Sequence, residues 1–333
     1  MTKPTTPQPN TLEQRLAALA AASPGARLPA ERELAGRFGV TRGQLRIALG
    51  KLQEAGVVES RRGSGTYAVD PEARPLRSIS LLIDGELKLG EDPFFSQLVE
   101  LLQQRAQAAG LSCRIERIGG VHVAVGEHAA AITVGRAGRD VVESAAGTAS
   151  VVALMPGGET KPGPRVTVFE LDDFQAGRDA SAILTARGCD AIWFVGKSSV
   201  AASRQRYHGA VEGAGSVPVQ LIESSLNYVA GIETGKAIGA KLVSGGNVGL
   251  IANNDWLAVG LRVGMMQAGI GERAMSVPLV SFDGLPVARE ASFAITSLAV
   301  PIAEIASDAL EELKRLHDGG NVHGRGIRYG LRV

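Results

Sequence analysis

Two cysteines in 333 residues, Cys113 and Cys189, are too few and too far apart for a disulfide framework or a thiolate metal cluster. Both read as free thiols in apolar settings. The five histidines are scattered without ligand spacing, so neither a metal nor a cofactor is expected. No window approaches the length of a membrane span. The first ten residues, Met1 to Asn10, are polar and rich in Pro and Thr, without the apolar stretch of an export signal. That terminus is expected to be disordered, and the protein cytoplasmic, with no membrane partner. Gly-x-Ser-x-Gly and Ser/His/Asp arrangements are missing, and no lysine sits in a Schiff-base context. The chain is therefore expected not to be an enzyme. Gly63-x-Gly65 and Gly245-Gly246 do not follow a strand and open a helix as a phosphate loop must, and read as turns.

A net charge of +1 hides an asymmetry. The first 70 residues hold ten Lys or Arg against six Asp or Glu, which leaves 25 and 28 of the chain's 35 and 34 for the remainder. The basic end is the one suited to face phosphate. It is also the end with the clearest pattern. Pro29 pre-sets the first turn of a helix, and Glu31 and Glu33 complement its positive end, so a helix is predicted from about Ala30 to Phe38. Gly39 ends it, Thr41 caps the next, and the second helix starts at Arg42. Leu45, Leu49 and Leu52 then face a core, while Arg42 and Arg46 lie four apart on another face. Gly56 stops that helix. Val57 and Val58 begin a strand, Arg61 to Gly65 make a basic hairpin tip, and Thr66 to Val69 return. Helix, tight turn, helix and hairpin in this order describe a winged helix-turn-helix over residues 11–69.

These residues resemble the GntR family of bacterial regulators. The shared signature is Leu28-Pro29-Ala30-Glu31-Arg32, the Val40-Thr41-Arg42 turn and the Gly63-Ser64-Gly65-Thr66 wing. The resemblance implies DNA contacts from Arg32, Thr41, Arg42, Arg46, Arg62 and Gly63. Where many members carry two hydroxyl residues this chain has Gly43-Gln44. The Gln44 amide is therefore added as a candidate for an adenine edge, and the operator sequence is this chain's own.

Asp70 to Pro75 is charged and proline-punctuated, and the linker is placed over residues 70–77. From Ser78 to the end, short apolar strands alternate with amphipathic helices. Strands are predicted at Ile79–Ile83, Ala130–Val134, Val151–Leu154, Ala191–Val195, Val217–Leu221, Val248–Ile251 and Pro278–Phe282, with a further one around Ile115. Helices are predicted at Phe94–Ala109, Ala176–Arg187, Arg204–Glu212, Tyr228–Val243 and Trp256–Ala268. This order implies parallel sheets covered on both faces, with ligands beyond the carboxyl ends of the strands. Residues 78–333 are long enough for two lobes with cores of their own. The fold class is thus α/β, a winged helix-turn-helix followed by a two-lobed domain with parallel sheets.

Read at the strand ends, the sequence offers acids, amides, an arginine and aromatics, which together make a polyhydroxyl site. This half resembles the LacI/GalR type of effector domain, itself similar to periplasmic sugar-binding proteins, and the whole is similar to arabinose-repressor-type regulators. The resemblance rests on Asp92-Pro93-Phe94-Phe95, Asp172-Asp173 with Ala176-Gly177, Arg206 three before Gly209, Asn254-Asp255-Trp256, Phe282-Asp283-Gly284 and Pro301-Ile302 with Ile305-Ala306. It implies effector contacts from Arg206, Asn254 and Asp283, with Phe94, Phe95, Asp172, Asp173 and Trp256 beside them. Each has a packing alternative: Arg206 pairing with an acid, Phe94 and Phe95 in a core, Trp256 as buried packing, Asp283 capping a turn. The chain departs from the pattern between Gly119 and Glu127, too short for the usual second helix, and at Ala129 to Ile132, where an Asp-Gly is expected.

The function this implies is a transcriptional regulator, expected to be a repressor, that binds a palindromic double-stranded operator as a homodimer and answers to a small sugar or polyol. A DNA-binding head on an enzyme-like α/β domain is the alternative, and a solute-binding protein a third.

Overall fold

The computed structural model describes every residue except 1–10, 55, 62, 70–75, 120–129, 137, 146–148, 158, 159, 243–245 and 319–321. Thr11 and Gln14 cap α1 (Leu12–Ala21) reciprocally, each side chain accepting from the other's backbone N–H. Helix α2 (Glu31–Phe38) ends at Gly39, whose φ of +67° is the left-handed turn the sequence predicts. Helix α3 (Arg42–Glu54) follows after three residues, Gly39 to Thr41. Strands β1 (Val58–Arg61) and β2 (Gly65–Ala68) then pair antiparallel with Arg61 opposite Gly65. Leu34, Leu45, Leu49 and Leu52 close on Leu16 and Leu28 in one small core. The period-four leucines thus fix which face of α3 is left to solvent.

Strand β3 (Ser78–Asp84) opens the second unit, followed by α4 (Pro93–Ala108), β4 (Ser112–Ile118), β5 (Ala130–Val134), α5 (Gly138–Ala145), β6 (Ser150–Leu154) and β7 (Val166–Leu171). The chain continues through α6 (Asp173–Ala186), β8 (Ala191–Gly196), α7 (Ala201–Gly213), β9 (Val219–Glu223), α8 (Tyr228–Leu242) and β10 (Val248–Ala252). It ends with α9 (Asp255–Gln267), α10 (Arg273–Ser276), β11 (Leu279–Asp283), β12 (Ile295–Ala299), α11 (Ile302–Asp318) and β13 (Gly326–Tyr329). Among the described residues the strands form two sheets here, parallel throughout, in the orders β13-β7-β6-β5-β3-β4 and β12-β11-β10-β8-β9. The first is the amino-terminal lobe and the second the carboxyl-terminal lobe.

Helices α1, α5 and α10 and strands β7, β12 and β13 are absent from the sequence expectation. Strands β12 and β13 are edges with mostly half-exposed positions, and neither presents an apolar run. The departure near Gly119 leaves the lobe edge intact. Strand β4 pairs with β3 along seven residues, from Ser78 opposite Ser112 to Asp84 opposite Ile118. The remainder of that departure lies outside the described residues.

Three crossings join the lobes, after β7, after β12 and after β13. They are laced together: Asp172 N donates to the Tyr329 carbonyl at 2.8 Å, and Arg332 N to the Ala299 carbonyl at 2.9 Å. Helix α11 returns the chain to the first lobe, burying Ile305, Ala306, Ala309 and Leu313 in its core. Its buried Glu312 accepts from Thr167 Oγ1 at 2.5 Å and pairs with Arg315 at 2.6 Å and Arg325 at 3.1 Å. The Arg315 bond, then the one from Thr167, hold that carboxyl down at about 2. In the second lobe Arg262, fully buried, donates to carbonyls of Ala274, Val277, Phe293 and Ala294. Burial lowers its pKa to about 10, and its bonds tie α9 to the segments flanking β11.

Helices α6 and α7 cross with almost no side chain between them. A methyl on Gly177 would strike the Arg206 carbonyl, and one on Gly209 the Phe174 carbonyl. These two glycines set how closely α7 approaches α6, and so where Arg206 stands.

Candidate functional site

On the head, Arg32, Thr41, Arg42, Gln44, Arg46 and Gly63 are all exposed, and Arg62 lies outside the described residues. Thr41 and Gln44 are bonded to each other. Gln44 N donates to Thr41 Oγ1 at 3.2 Å, and Thr41 N to Gln44 Oε1 at 3.0 Å. This is a capping box, and it revises the expectation for Gln44. A bidentate adenine contact uses the carbonyl oxygen as well as the nitrogen, and here that oxygen is turned back on the helix start. Arg46 Nε pairs with Glu31 at 2.9 Å, with the Arg46 side chain 69% exposed. A surface pair of this kind is worth about 0–1 kcal/mol, so phosphate or a base edge can displace Glu31 at little cost. Ile47 is 65% exposed on the same helix, an apolar side chain among arginines that the sequence reading passed over. Gly63, at φ +75°, makes the hairpin tip. Behind it Ser64 Oγ and Tyr67 Oη share a hydrogen bond at 2.7 Å, and Arg61 lies over the Tyr67 ring.

In the second unit Arg206 is the centre. It is 5% exposed, donates from Nε to Asp173 at 2.7 Å and from Nη1 to the Asn253 carbonyl at 2.6 Å, and lies 4.5 Å over the Phe282 ring. The packing alternative for Arg206 therefore holds in part, since one acid and one carbonyl fix its plane. Asp283 ends β11 at φ +111°, a backbone conformation costly for a side-chain-bearing residue, and Gly284 follows at +77°. Burial raises the Asp283 carboxyl well above the ordinary value. Arg206 draws it down, and Asp255 and Asp92 push it up again. Asp92 belongs to the amino-terminal lobe, where it caps α4 by accepting from Phe95 N at 3.3 Å. Its own carboxyl is raised by burial. One arginine and acids of both lobes thus meet between the lobes.

The remaining candidates divide. Asp172 caps α6 through Gln175 N at 3.1 Å. Phe94 is buried in the amino-terminal core, and Phe95 packs on its edge at a centroid distance of 5.1 Å. Asn254 caps α9, accepting from Leu257 N at 2.7 Å, and donates Nδ2 to the Leu226 carbonyl at 3.1 Å. Both ends of its amide are occupied. The neighbouring Asn253 is 5% exposed, and its Oδ1 has no partner. A buried carbonyl oxygen left bare is costly unless something donates to it, so Asn253 is the amide of this turn with capacity to spare. The Asn253-Asn254 pair was visible in the sequence, but only the cap shows which of the two is already spent. Asp255 is fully buried and receives Ser297 Oγ at 2.7 Å, Leu285 N at 2.7 Å and Ser281 Oγ. It fastens α9 to β11 and β12. Trp256 stands apart, half-buried against Tyr228.

A winged helix-turn-helix followed by two parallel α/β lobes with a polar cluster between them defines a DNA-reader head on a periplasmic-binding-protein-like domain. Residues 11–68 match the family described as bacterial regulatory proteins, gntR family, and residues 182–331 match the periplasmic binding protein-like domain. In sequence the chain is similar to an uncharacterized HTH-type transcriptional regulator of Mycobacterium tuberculosis, with 44% identity over 92 residues, 28% of this chain. The chain spans little more than a third, 36%, of that relative's length. In structure it is similar to a LacI family transcriptional regulator from Arthrobacter sp. FB24 in complex with lactose. The TM-score there is 0.62 at 19% identity, covering 78% of this chain and 98% of that one. A LacI family regulator from Enterococcus faecium with bound ribose gives the same score and identity, covering 77% and 96%. At that identity the likeness is one of fold.

Proposed function

We propose that the protein is a ligand-responsive transcriptional regulator of the repressor kind. Residues 11–69 read operator DNA, residues 70–77 link, and residues 78–333 bind a small sugar or polyol between two lobes. Arg206 carries the effector half of this reading: it is buried between the lobes, fixed by Asp173 and Asn253, and surrounded by groups that exchange hydrogen bonds with hydroxyls. Arg206, Asp283, Asn253 and Asp173 are the inner contacts we assign, with Asn254 and Asp172 holding the helix starts around them. An effector bound there draws the lobes together about the three laced crossings, and in a homodimer that motion re-spaces two heads on a palindromic operator. The energetic demand is modest. A tenfold to hundredfold change in DNA affinity needs about 1.4 to 3 kcal/mol of coupling.

On the head, Arg42, Arg46 and the wing supply phosphate and base contacts, Arg32 supports them from α2, and Ile47 suits a thymine methyl. Thr41 and Gln44 set the start of the recognition helix. The test uses fragments selected by the full-length protein from random duplex DNA. Arg46→Ala is expected to weaken binding to the selected sequence at fixed salt by about 1 to 3 kcal/mol. Thermal stability should hardly move, because the Glu31 pair it loses is exposed. Unchanged DNA affinity would remove Arg46 from the contact face.

A further inference from the structure

We propose that Ile47 makes the head select a C5-methyl group at one position of each operator half-site, so that thymine and 5-methylcytosine are accepted there and unmethylated cytosine is refused. The proposal rests on the reading of α3 as the recognition helix and adds the chemistry that one operator position must carry.

Three faces of α3 are engaged within the head. Leu45, Ala48, Leu49 and Leu52 are buried in its core. On one flank Arg46 pairs with Glu31 of α2 at 2.9 Å, and on the other Lys51 pairs with Glu13 of α1 at 3.0 Å. The remaining face, opposite the leucines, carries Gly43, Ile47 and Gly50 at spacings of four and three. A methyl placed on Gly43 would meet the Thr41 hydroxyl at 4.0 Å, and one on Gly50 nothing within 4 Å. Ile47 is thus a single branched knob, 65% exposed, on an otherwise bare strip of helix backbone. It takes no part in the core of the head.

The charges around that strip say what covers it. Arg42 and Arg46 are exposed on the same helix, and the first 70 residues carry ten Lys or Arg against six acids. A protein partner or a second copy seated on Ile47 would take water from these guanidiniums, whereas duplex DNA meets them with phosphate. With DNA as the occupant, the strip opposite the core faces the major groove, and the bare backbone at Gly43 and Gly50 lets it come close.

The base edges in that groove present donors and acceptors, and their one apolar group is the C5-methyl of thymine. Ile47 set over an amide or carbonyl edge would take water from it and return no bond, which is costly. Over a C5-methyl it buries apolar surface on both sides. Cytosine lacks this group, and 5-methylcytosine carries it at the same point of the ring. A free Gln44 amide could fix the choice from the other strand by bonding adenine, but its carbonyl oxygen is turned to Thr41. The position is therefore read by its methyl. Methylation of a cytosine there turns a poor site into a good one.

The test uses a duplex that the full-length protein selects from random DNA, with affinity read by fluorescence anisotropy at fixed salt. Each thymine is replaced in turn by deoxyuridine, which removes the methyl and nothing else. One thymine per half-site is expected to show a loss of about fourfold, the worth of one methyl group withdrawn from water. Cytosine at that position should bind worse still, and 5-methylcytosine should regain about fourfold over cytosine. In Ile47→Ala the preference for thymine over uracil should vanish, and Ile47→Val should keep most of it. In Arg46→Ala overall affinity should drop while the preference stays. Uracil tolerated at every thymine, a preference unchanged in Ile47→Ala, or no gain from 5-methylcytosine would overturn the methyl reading and leave the head a DNA reader. Selection of no sequence by the wild type would overturn the DNA reading and the methyl reading with it.

Discussion

Arg206→Ala is expected to abolish the effector response and to destabilise residues 78–333 by about 3 to 5 kcal/mol. Both effects have one cause. The guanidinium is 5% exposed and is the cation that Asp173 and Asp283 face, so its removal leaves two carboxylates between the lobes without a counter-charge and the Asn253 carbonyl without its donor. The loss should be seen as a lower urea midpoint and as a flat calorimetric titration with sugars that bind the wild type. Arg206→Lys should restore part of the stability and little of the binding. A lysine supplies charge but cannot hold Asp173 and the Asn253 carbonyl from two fixed positions in one plane. Wild-type affinity in Arg206→Ala would place the ligand elsewhere.

Asp283→Asn is expected to act in the opposite sense on stability. Because burial raises the Asp283 carboxyl, the folded protein binds a proton that the unfolded chain releases. The stability this contributes is complete below the unfolded carboxylate value, about 4, and is lost as pH rises through the folded value. At pH 7, well above the unfolded value, the buried carboxyl therefore costs stability, and asparagine removes that cost while tolerating the positive φ of this position. The variant should be more stable than wild type at pH 7, with the difference closing near pH 4. Effector affinity should fall at least about tenfold as the carboxylate contact is lost. Glu312 works in the other direction and is common to both proteins. Its carboxyl is held at about 2, so its contribution is present above the ordinary value and fades as pH falls toward 2. Urea titrations of both proteins at pH 4 and 7 read the difference directly. Equal stability at both values would mean that burial does not raise the Asp283 carboxyl.

The head was legible almost residue by residue because its signals are local. Pro29, Gly39, Thr41 and the Leu45-Leu49-Leu52 spacing each act within one turn of the chain, and the elements they predict fall within a residue or two of those observed. Gln44 shows the limit. A glutamine three residues after a threonine is also a capping signature, and only the bonds tell that the amide is turned inward. In the second unit the alternation of strand and helix was legible, while β13 was not. Its four residues carry little apolar signal, and its pairing partner β7 lies more than 150 residues earlier, as in Gly326 opposite Val168.

The site divides along the same line. Arg206, Asp173 and Asp283 were recognisable as types at strand ends, and the structure brings the three together. Phe94, beside the polar Asp92, reads the same in sequence whether it faces a ligand or a core, and burial decides for the core. Asn253 and Asn254 cannot be told apart by type at all. The distinction lies in which one caps α9. Trp256 stands out in the sequence by its place near Asn254, but its partner Tyr228, at the start of α8 and 28 residues earlier, carries no signal that the two rings meet.

Coupling between the head and the cleft is what the proposed function rests on. Its most direct measurement is the affinity of the full-length protein for its own selected duplex, by fluorescence anisotropy at fixed salt, with and without the sugar that binds the wild type most tightly. Adding sugar is expected to change that affinity about tenfold to hundredfold. No sugar-dependent change is expected in Arg206→Ala, and weaker binding in Arg46→Ala with or without sugar. DNA affinity that is the same with and without saturating sugar would contradict the coupling.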